Sequence, residues 1–180
     1  WEGANNSWKL YSTISKLKGV DYIIDSSKHA KRMKVLYLRK PRSTRIIHLV
    51  RDGRALAHTY KRGGSSVIDA AHQWVRITQN ILIMLKGVPR DRWRRVYYED
   101  LCRQPAETIG QLLSWVGLES ESDMYEPHGG EYHLIPGNQL IFEGISSIKL
   151  KEDWREGLSG REKAEFESIA GSLLKSLGYL

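Results

Sequence analysis

The sequence has very little cysteine: among its 180 residues there is one, Cys102. A single thiol cannot build an internal disulfide framework, and it cannot supply a zinc site made of several cysteines. We interpret Cys102 as a small packed side chain rather than as a nucleophile. Disulfide-rich scaffolds and zinc-finger modules are therefore excluded.

Long apolar runs are also lacking. No segment approaches the ~18 residues that a membrane-spanning helix needs, and no signal peptide is recognisable. Together with the single cysteine, this favours a cytoplasmic location. Repeats, low-complexity tracts and linkers are missing too, so residues 1–180 are expected to form one domain. Because the chain starts at Trp1 rather than at a methionine, we expect that domain to be partial.

Acidic residues are too few to balance the basic ones. Lys and Arg number 28 against 21 Asp and Glu, which gives a net charge of +7 and a sequence pI of about 9.5. Such a balance favours an anionic partner, namely a nucleotide, a sulfated glycan, a nucleic acid or a membrane surface. The plain alternative is a solvated basic surface.

Apolar periodicity predicts helices that alternate with strands. A helix over 7–18 is expected to bury Leu10, Ile14 and Leu17. The other predictions are strands over 20–25, 45–51 and 94–98, and helices over 30–38, 52–62, 67–86, 105–116 and after a capping box at Ser159. Residues 118–150 lack periodicity. This alternation predicts an α/β fold with a mainly parallel sheet that is covered on both faces.

The segment 45–62 is the most informative part of the chain. Its apolar strand ends at Arg51, Asp52 can cap a helix, and the helix follows at once. The free N–H groups and the dipole of a helix start attract a phosphate, and the guanidinium of Arg51 matches phosphate oxygens. Thr59 lies about two helical turns further on. The alternative is an ordinary buried strand followed by a capped helix.

Four stretches together resemble the sulfotransferase family, whose members move a sulfuryl group from 3′-phosphoadenosine 5′-phosphosulfate (PAPS) to an acceptor. In order along the chain they are Ile23-Ile24-Asp25-Ser26-Ser27-Lys28, Ile47-His48-Leu49-Val50-Arg51-Asp52-Gly53-Arg54-Ala55, Val96-Tyr97-Tyr98-Glu99-Asp100-Leu101 with Pro105, and Pro136-Gly137-Asn138 with Trp154-Arg155. The resemblance implies a three-layer, P-loop-kinase-like α/β domain. It also implies a PAPS donor, a hydroxyl or amine acceptor, and no metal.

The resemblance assigns a donor-binding role to three residues. Arg51 and Thr59 would bind the 3′-phosphate; the family usually has serine in place of Thr59, and the hydroxyl donor is kept. Tyr98 would contact the adenine, and its alternative is a core tyrosine at a strand end. A basic residue that follows the Gly-Asn pair in part of the family is missing after Asn138, which leaves Lys149 or Lys151 as substitutes.

The resemblance makes Lys28 and His29 the catalytic candidates. A lysine near this position of the family lies beside the transferred group, where its cation can stabilise a leaving phosphate. A histidine can act as the base for an acceptor hydroxyl. The alternative for His29 is a surface histidine at a helix start. His128 and His133 have no third ligand nearby, and we expect no metal site there.

The family's N-terminal strand and its Ser/Thr/Gly-rich loop for the 5′-phosphosulfate are not recognisable in this sequence. We therefore expect a fragment that holds the 3′-phosphate and adenine side of the site and is inactive alone. We also expect an open sheet edge where that strand belongs. A non-catalytic nucleotide-binding module of the same fold is the second hypothesis. A basic nucleic-acid-binding domain ranks last, because the tryptophans lie mostly on apolar helical stripes.

Overall fold

The structure is a computed structural model that describes residues 2–121 and 149–180. Helices dominate this part of the chain, and two short strands form its sheet. In chain order the elements are α1 (Glu2–Lys18), α2 (Ala30–Arg39), β1 (Ile46–Val50), α3 (Gly53–Arg62), α4 (Val67–Leu85), β2 (Trp93–Tyr97), α5 (Tyr98–Arg103), α6 (Pro105–Val116), α7 (Trp154–Gly157) and α8 (Gly160–Ser176).

The two strands run parallel, with Ile46 opposite Trp93 and Val50 opposite Tyr97. Helices α3 and α4 connect them, as a parallel pair requires a long crossover. The predicted strands over 45–51 and 94–98 are thus confirmed, as is the α/β class with a parallel sheet. Because both strands point the same way, Arg51 and Tyr98 follow the carboxyl ends of β1 and β2 and lie at the same end of the sheet. We call this end of the sheet the sheet edge.

The main core lies where α4 packs against α3 and α8. Local signals place these helices. Ser66 caps α4 by accepting a hydrogen bond from the N–H of Asp69, and the predicted capping box at Ser159 is present with Glu162. Buried apolar side chains from β1, from these helices, from α7 and from the residues that flank α8 form the core: Val50, Ala55, Ala57, Val67, Ala70, Ala71, Trp74, Trp154, Leu158, Phe166, Ala170, Leu174 and Leu177.

A smaller cluster lies under the other end of the sheet. Tyr37 of α2 packs with Ile46, Leu85 and Val88. The helix predicted over 30–38 forms, and its Leu36 and Tyr37 side chains are buried. Helix α2 is therefore fixed against the sheet, and its first residues follow directly from the segment that carries Lys28.

The sheet is covered less completely than the sequence predicts. Along β1, Ile46, His48 and Val50 are buried, whereas Ile47 and Leu49 are 51% and 54% exposed. Successive strand residues face opposite sides, and α3, α4 and α8 cover one side. In the described part of the chain β1 pairs with β2 alone, so its other edge is open, as expected.

The predicted strand over 20–25 is wrong. This segment is irregular and exposed, and Ile24 keeps 90% of its accessible surface. A strand needs a hydrogen-bonded neighbour, because its backbone groups have no partners within the segment itself. Within residues 2–121 and 149–180 no strand pairs with 20–25.

Helix α1 forms, but it turns a different face inward from the one predicted. Leu10, Ile14 and Leu17 are 56%, 36% and 78% exposed. The face that meets α2 carries smaller and more polar residues, with Ala4 and Ser7 buried. Polar contacts select this face. The indole N–H of Trp8 donates to Leu36 O at 3.3 Å, Asn5 accepts a hydrogen bond from Arg39 at 2.7 Å, and Lys40 lies over the Trp8 ring.

Most of the predicted irregular region over 118–150 lies outside the described residues. The same holds for Pro136-Gly137-Asn138 and for His128 and His133. Among the helices that the structure describes, none is long and apolar enough to cross a membrane.

Candidate functional site

The junction between β1 and α3 is built around Asp52. Its carboxylate accepts a hydrogen bond from the N–H of Arg54 at 2.9 Å and caps α3, as predicted. The N–H of Asp52 itself donates to Glu99 Oε1 at 3.0 Å. The expectation that the helix start offers free N–H groups to a phosphate is therefore wrong for these two donors. Two carboxylates already satisfy them and supply the negative charge that the helix dipole favours.

Arg51 is the cation that the junction presents at the sheet edge. Its guanidinium lies 4.4 Å from the centroid of the Tyr98 ring, and its Nη2 donates to Lys151 O at 3.3 Å. Its Nε is buried and has no hydrogen-bond partner among the described residues. The side chain is thus held from two sides, while its buried Nε–H has no acceptor among the described residues.

The backbone of residues 149–151 contacts both Arg51 and Tyr98. Tyr98 donates to Lys149 O at 3.4 Å, while Arg51 contacts the carbonyl of Lys151. Both lysine side chains are exposed, and neither joins an ion pair in the described part of the chain. Burial and a hydrogen bond with Cys102 raise the pKa of Tyr98, so its phenol stays neutral. Arg51, Lys149 and Lys151 place three positive charges here, beside the Asp52 and Glu99 carboxylates of the junction.

Thr59 is exposed on α3, and its hydroxyl donates to Ala55 O at 3.1 Å within the same helix. It lies about 10 Å further along the helix axis than Asp52, at 1.5 Å per residue. No hydrogen bond of the described residues joins Thr59 to Arg51. To bind a ligand, its hydroxyl would exchange the Ala55 carbonyl for the new acceptor or accept a hydrogen bond itself.

Lys28 and His29 lie at the start of α2, and both are exposed. Lys28 adopts φ +58°, a left-handed conformation that is uncommon outside glycine. His29 caps α2, because its Nδ1 accepts a hydrogen bond from the N–H of Arg32 at 3.2 Å. The lone pair that a base would use is thus engaged in the cap. No described hydrogen bond or ion pair links either residue to Arg51.

A polar cluster that the sequence did not reveal holds the Lys28 segment in place. The Asp25 carboxylate accepts hydrogen bonds from Tyr11, from Arg32 and from the N–H of Ser27. Arg32 also donates to the Tyr11 hydroxyl at 2.8 Å and to Ser7 at 3.0 Å. Partial burial favours a higher pKa for Asp25, but hydrogen bonds from Tyr11 and Ser27 outweigh it and lower the pKa to about 2. The cluster ties α1 and α2 to the loop between them.

A second network supports the Arg51 junction from behind. Arg54 pairs with Asp52 at 2.8 Å and with Glu167 at 2.7 Å, and it donates to the Tyr179 carbonyl at 3.0 Å. The Tyr179 hydroxyl donates to Glu99 Oε2 at 2.9 Å. Glu99 thus makes a structural contact through each of its two carboxylate oxygens. The pairing with Tyr179, 80 residues away, has no local signal by which it could have been predicted.

Three comparisons with known proteins agree with one another. A family model described as the sulfotransferase family matches residues 7–122. Mouse (Mus musculus) carbohydrate sulfotransferase 5 is 28% identical, with 75% of this chain and 41% of that protein covered. Human (Homo sapiens) carbohydrate sulfotransferase 6 is 26% identical, with the same coverage. The chain thus matches less than half the length of these relatives.

A solved structure supports the fold. The sulfotransferase domain from the curacin biosynthetic pathway superposes with a TM-score of 0.61, covering 92% of this chain and 66% of that one, at 19% identity. A sequence identity of 19% supports a statement about the fold alone, and the fold is the predicted P-loop-kinase-like α/β domain. The family model carries the assignment, because it matches well over half of the chain and includes the Arg51 junction, Tyr98 and the Lys28 segment. The chain belongs to the sulfotransferase family.

Proposed function

We propose that this chain binds PAPS through its 3′-phosphate and adenine and takes part in sulfuryl transfer to a hydroxyl or amine acceptor. The observation that carries the proposal is the Arg51 guanidinium, fixed at the sheet edge by Tyr98 and the Lys151 carbonyl while its buried Nε lacks a partner. A buried charged donor without a partner is energetically unfavourable. An oxyanion at this position would satisfy it.

The residues around Arg51 fit a nucleotide 3′-phosphate. The guanidinium fork can hold two phosphate oxygens, and the exposed ammonium groups of Lys149 and Lys151, which join no ion pair among the described residues, add positive charge. Tyr98 offers an aromatic face and a neutral hydroxyl for the adenine. Thr59 would contribute its hydroxyl after releasing Ala55 O.

In the proposed reaction the donor supplies an activated sulfuryl group. The bond between sulfur and the bridging phosphate oxygen breaks, and a bond from sulfur to the acceptor oxygen or nitrogen forms. The acceptor proton passes to a base, and the leaving nucleotide phosphate takes the electron pair of the broken bond. Lys28 would stabilise the charge that grows on that phosphate. His29 would take the proton once its Nδ1 exchanges the α2 cap for the acceptor.

A carbohydrate hydroxyl is the acceptor that we favour. Two relatives carry the name carbohydrate sulfotransferase, and a sugar hydroxyl needs the same steps as any alcohol. The competing hypothesis is a nucleotide-binding module without turnover. It draws support from His29, whose lone pair caps a helix, and from Lys28, which contacts no part of the Arg51 group.

Titration calorimetry with 3′,5′-adenosine bisphosphate tests the proposed binding role of Arg51. A charged hydrogen bond contributes about 1.5–3 kcal/mol, so Arg51→Ala should weaken binding roughly 10- to 150-fold. Adenosine 5′-monophosphate, which lacks the 3′-phosphate, should respond little to the substitution. Arg76→Ala, which removes an exposed arginine of α4, is the matched control. Equal affinity of the Arg51→Ala and unsubstituted proteins for the bisphosphate would refute the assignment.

A further inference from the structure

Two basic segments meet at the end of the sheet opposite Arg51. Residues 39–45 run from the last residue of α2 to the start of β1, and residues 90–94 include the first two residues of β2; we call these two segments together the basic edge. The parallel register sets Ile46 beside Trp93 and so brings the loops side by side. Arg92 joins them by donating from Nη1 to Arg42 O at 3.0 Å.

The basic edge concentrates nearly all of the chain's excess charge. It contains seven basic side chains, Arg39, Lys40, Arg42, Arg45, Arg90, Arg92 and Arg94, and one carboxylate, Asp91. Its formal charge is therefore +6, compared with +7 for the whole chain. Apart from Arg92, every one of the seven basic residues is exposed. Most protein surfaces intersperse the two signs, and a large field of one sign attracts an oppositely charged partner.

Neighbouring carboxylates neutralise little of this charge. Among the described residues, Asp91 pairs with Arg92 at 3.1 Å, and five of the other six basic groups contact neutral partners. Arg39 donates to Asn5, Lys40 lies over Trp8, Arg90 lies 3.9 Å from the Trp93 ring centroid, and Arg45 and Arg94 lie near the Trp115 ring. Aromatic faces hold the guanidinium groups in place without cancelling their charge.

The basic edge is separate from the candidate nucleotide site. Arg45 and Arg51 lie at opposite ends of β1, about 20 Å apart at roughly 3.3 Å per strand residue. Arginines at this distance cannot bind the same 3′-phosphate as Arg51. Their charge therefore needs another partner.

We propose that the basic edge binds a sulfated polysaccharide. Six of its seven cations are arginines, whose planar fork pairs with two oxygens of a sulfate or carboxylate. Between α2 and the strands the edge contains only three-residue 3-10 turns, so it offers no helix long enough to lie along a DNA major groove. Arginines already cover the rings of Trp93 and Trp115, which leaves single-stranded bases no open platform for stacking. Neither segment contains an aliphatic residue that could insert into a membrane.

This inference rests on the proposed function and extends it to the acceptor. Each transfer of a sulfuryl group adds one negative charge to the acceptor chain. A polysaccharide that is sulfated repeatedly becomes a polyanion along its length. The basic edge would hold the part of the chain that already carries sulfate, while the site near Arg51 and Lys28 binds the donor.

Binding of heparin, a sulfated polysaccharide, tests the inference directly. The test variant combines Arg42→Gln, Arg45→Gln and Arg94→Gln, and it spares Arg92 because that side chain joins the loops. The control variant combines Arg62→Gln, Arg76→Gln and Arg161→Gln, which removes three exposed arginines from α3, α4 and α8. Circular dichroism melts confirm that both variants are folded. Heparin affinity should fall at least about tenfold in the test variant and change less than about twofold in the control.

Further arms of the experiment separate the possible outcomes. N-acetylated, desulfated heparin should bind weakly, and the salt dependence of heparin binding should become shallower in the test variant. Equal losses in the two variants, or tighter binding to duplex DNA or to phosphatidylserine vesicles than to heparin, would overturn the inference. Calorimetry with 3′,5′-adenosine bisphosphate is run on the same test variant. Unchanged nucleotide affinity with lost heparin binding supports two separate sites, and heparin binding without any nucleotide binding would contradict the proposed function alone.

Discussion

Replacing Gly53 with alanine tests the packing that fixes the Arg51 junction. A Cβ at this position would lie 2.6 Å from Trp74 Cδ2 and 2.7 Å from Phe166 Cζ. Nonbonded carbons pack best at about 3.5–4.0 Å, so both rings would have to move by roughly 1 Å. Trp74 and Phe166 are buried and pack against each other, with ring centroids 5.9 Å apart. Overpacking of this kind costs about 1–3 kcal/mol of unfolding free energy.

Gly160→Ala is the matched control, because Gly160 is also the first residue of a helix. A Cβ there meets no atom within 4 Å. Its unfolding free energy should stay the same or rise by up to about 1 kcal/mol, since alanine is the better helix former. Urea denaturation measures both variants. Because Gly53 follows Arg51 by two residues, Gly53→Ala should also weaken binding of 3′,5′-adenosine bisphosphate.

A double substitution tests the cause of the loss. Phe166→Leu removes Cζ, one of the ring atoms nearest to the added methyl group, so Gly53→Ala should cost less in that background, with a coupling energy of about 0.5–3 kcal/mol. If Gly53→Ala proves as stable as Gly160→Ala, the close approach of α3 to α4 and α8 is not as described. If the loss is unchanged in the Phe166→Leu background, the clash is not its source.

Three further predictions concern single ionisable groups. Lys28→Ala should lower turnover with PAPS far more than it raises the KM for the acceptor, because the proposed contact strengthens in the transition state; unchanged turnover would make Lys28 a surface charge. Burial lowers the pKa of His48 from 6.5 to about 4, so the unfolded chain takes up a proton first, and stability should fall by up to about 2–3 kcal/mol between pH 6.5 and 4. His48→Gln should flatten that part of the profile, and an equally steep profile would contradict the assignment. The pKa of the Asp25 carboxyl is lowered to about 2, so Asp25 should stabilise the fold fully above pH 4 and lose that effect as the pH falls through about 2. The difference in unfolding free energy between the unsubstituted protein and Asp25→Asn should therefore shrink over that range. A constant difference would count against this role of Asp25.

Much of the fold could be predicted because its signals are local. Helices α3, α4 and α8 follow from caps at Asp52, Ser66 and Ser159 and from apolar stripes of adequate length. The strand that ends at Arg51 follows from its apolar run. These elements form the core, and packing among them agrees with the local preference of each.

The failed predictions share a dependence on distant partners. Periodicity marks the Leu10 stripe as apolar, but the packing of α1 was decided by contacts of Trp8 and Asn5 with α2. The segment 20–25 has the composition of a strand, but pairing depends on a neighbour. The N–H of Asp52 was expected to be free, and Glu99, 47 residues later, accepts its hydrogen bond.

The candidate site was predicted in part. The resemblance placed Arg51 and Tyr98 on one nucleotide, and the structure brings these two side chains into contact. Thr59, Lys28 and His29 are not joined to them by any described contact, and the roles of all five residues stay predictions. The Tyr11–Asp25–Arg32 cluster was missed, because an ion pair between segments leaves no periodic pattern in the sequence.

The network behind the junction makes the last residues of the described chain a mechanical support for the phosphate site. Tyr179 contacts Glu99 through its hydroxyl and Arg54 through its carbonyl, and both of these side chains hold Asp52 in place beside Arg51. Pulling force applied at residue 180 would therefore reach Asp52, the neighbour of Arg51, along two routes, one through Glu99 and one through Arg54, each made of two hydrogen-bonded links. A purification tag or surface tether attached there would load the site directly.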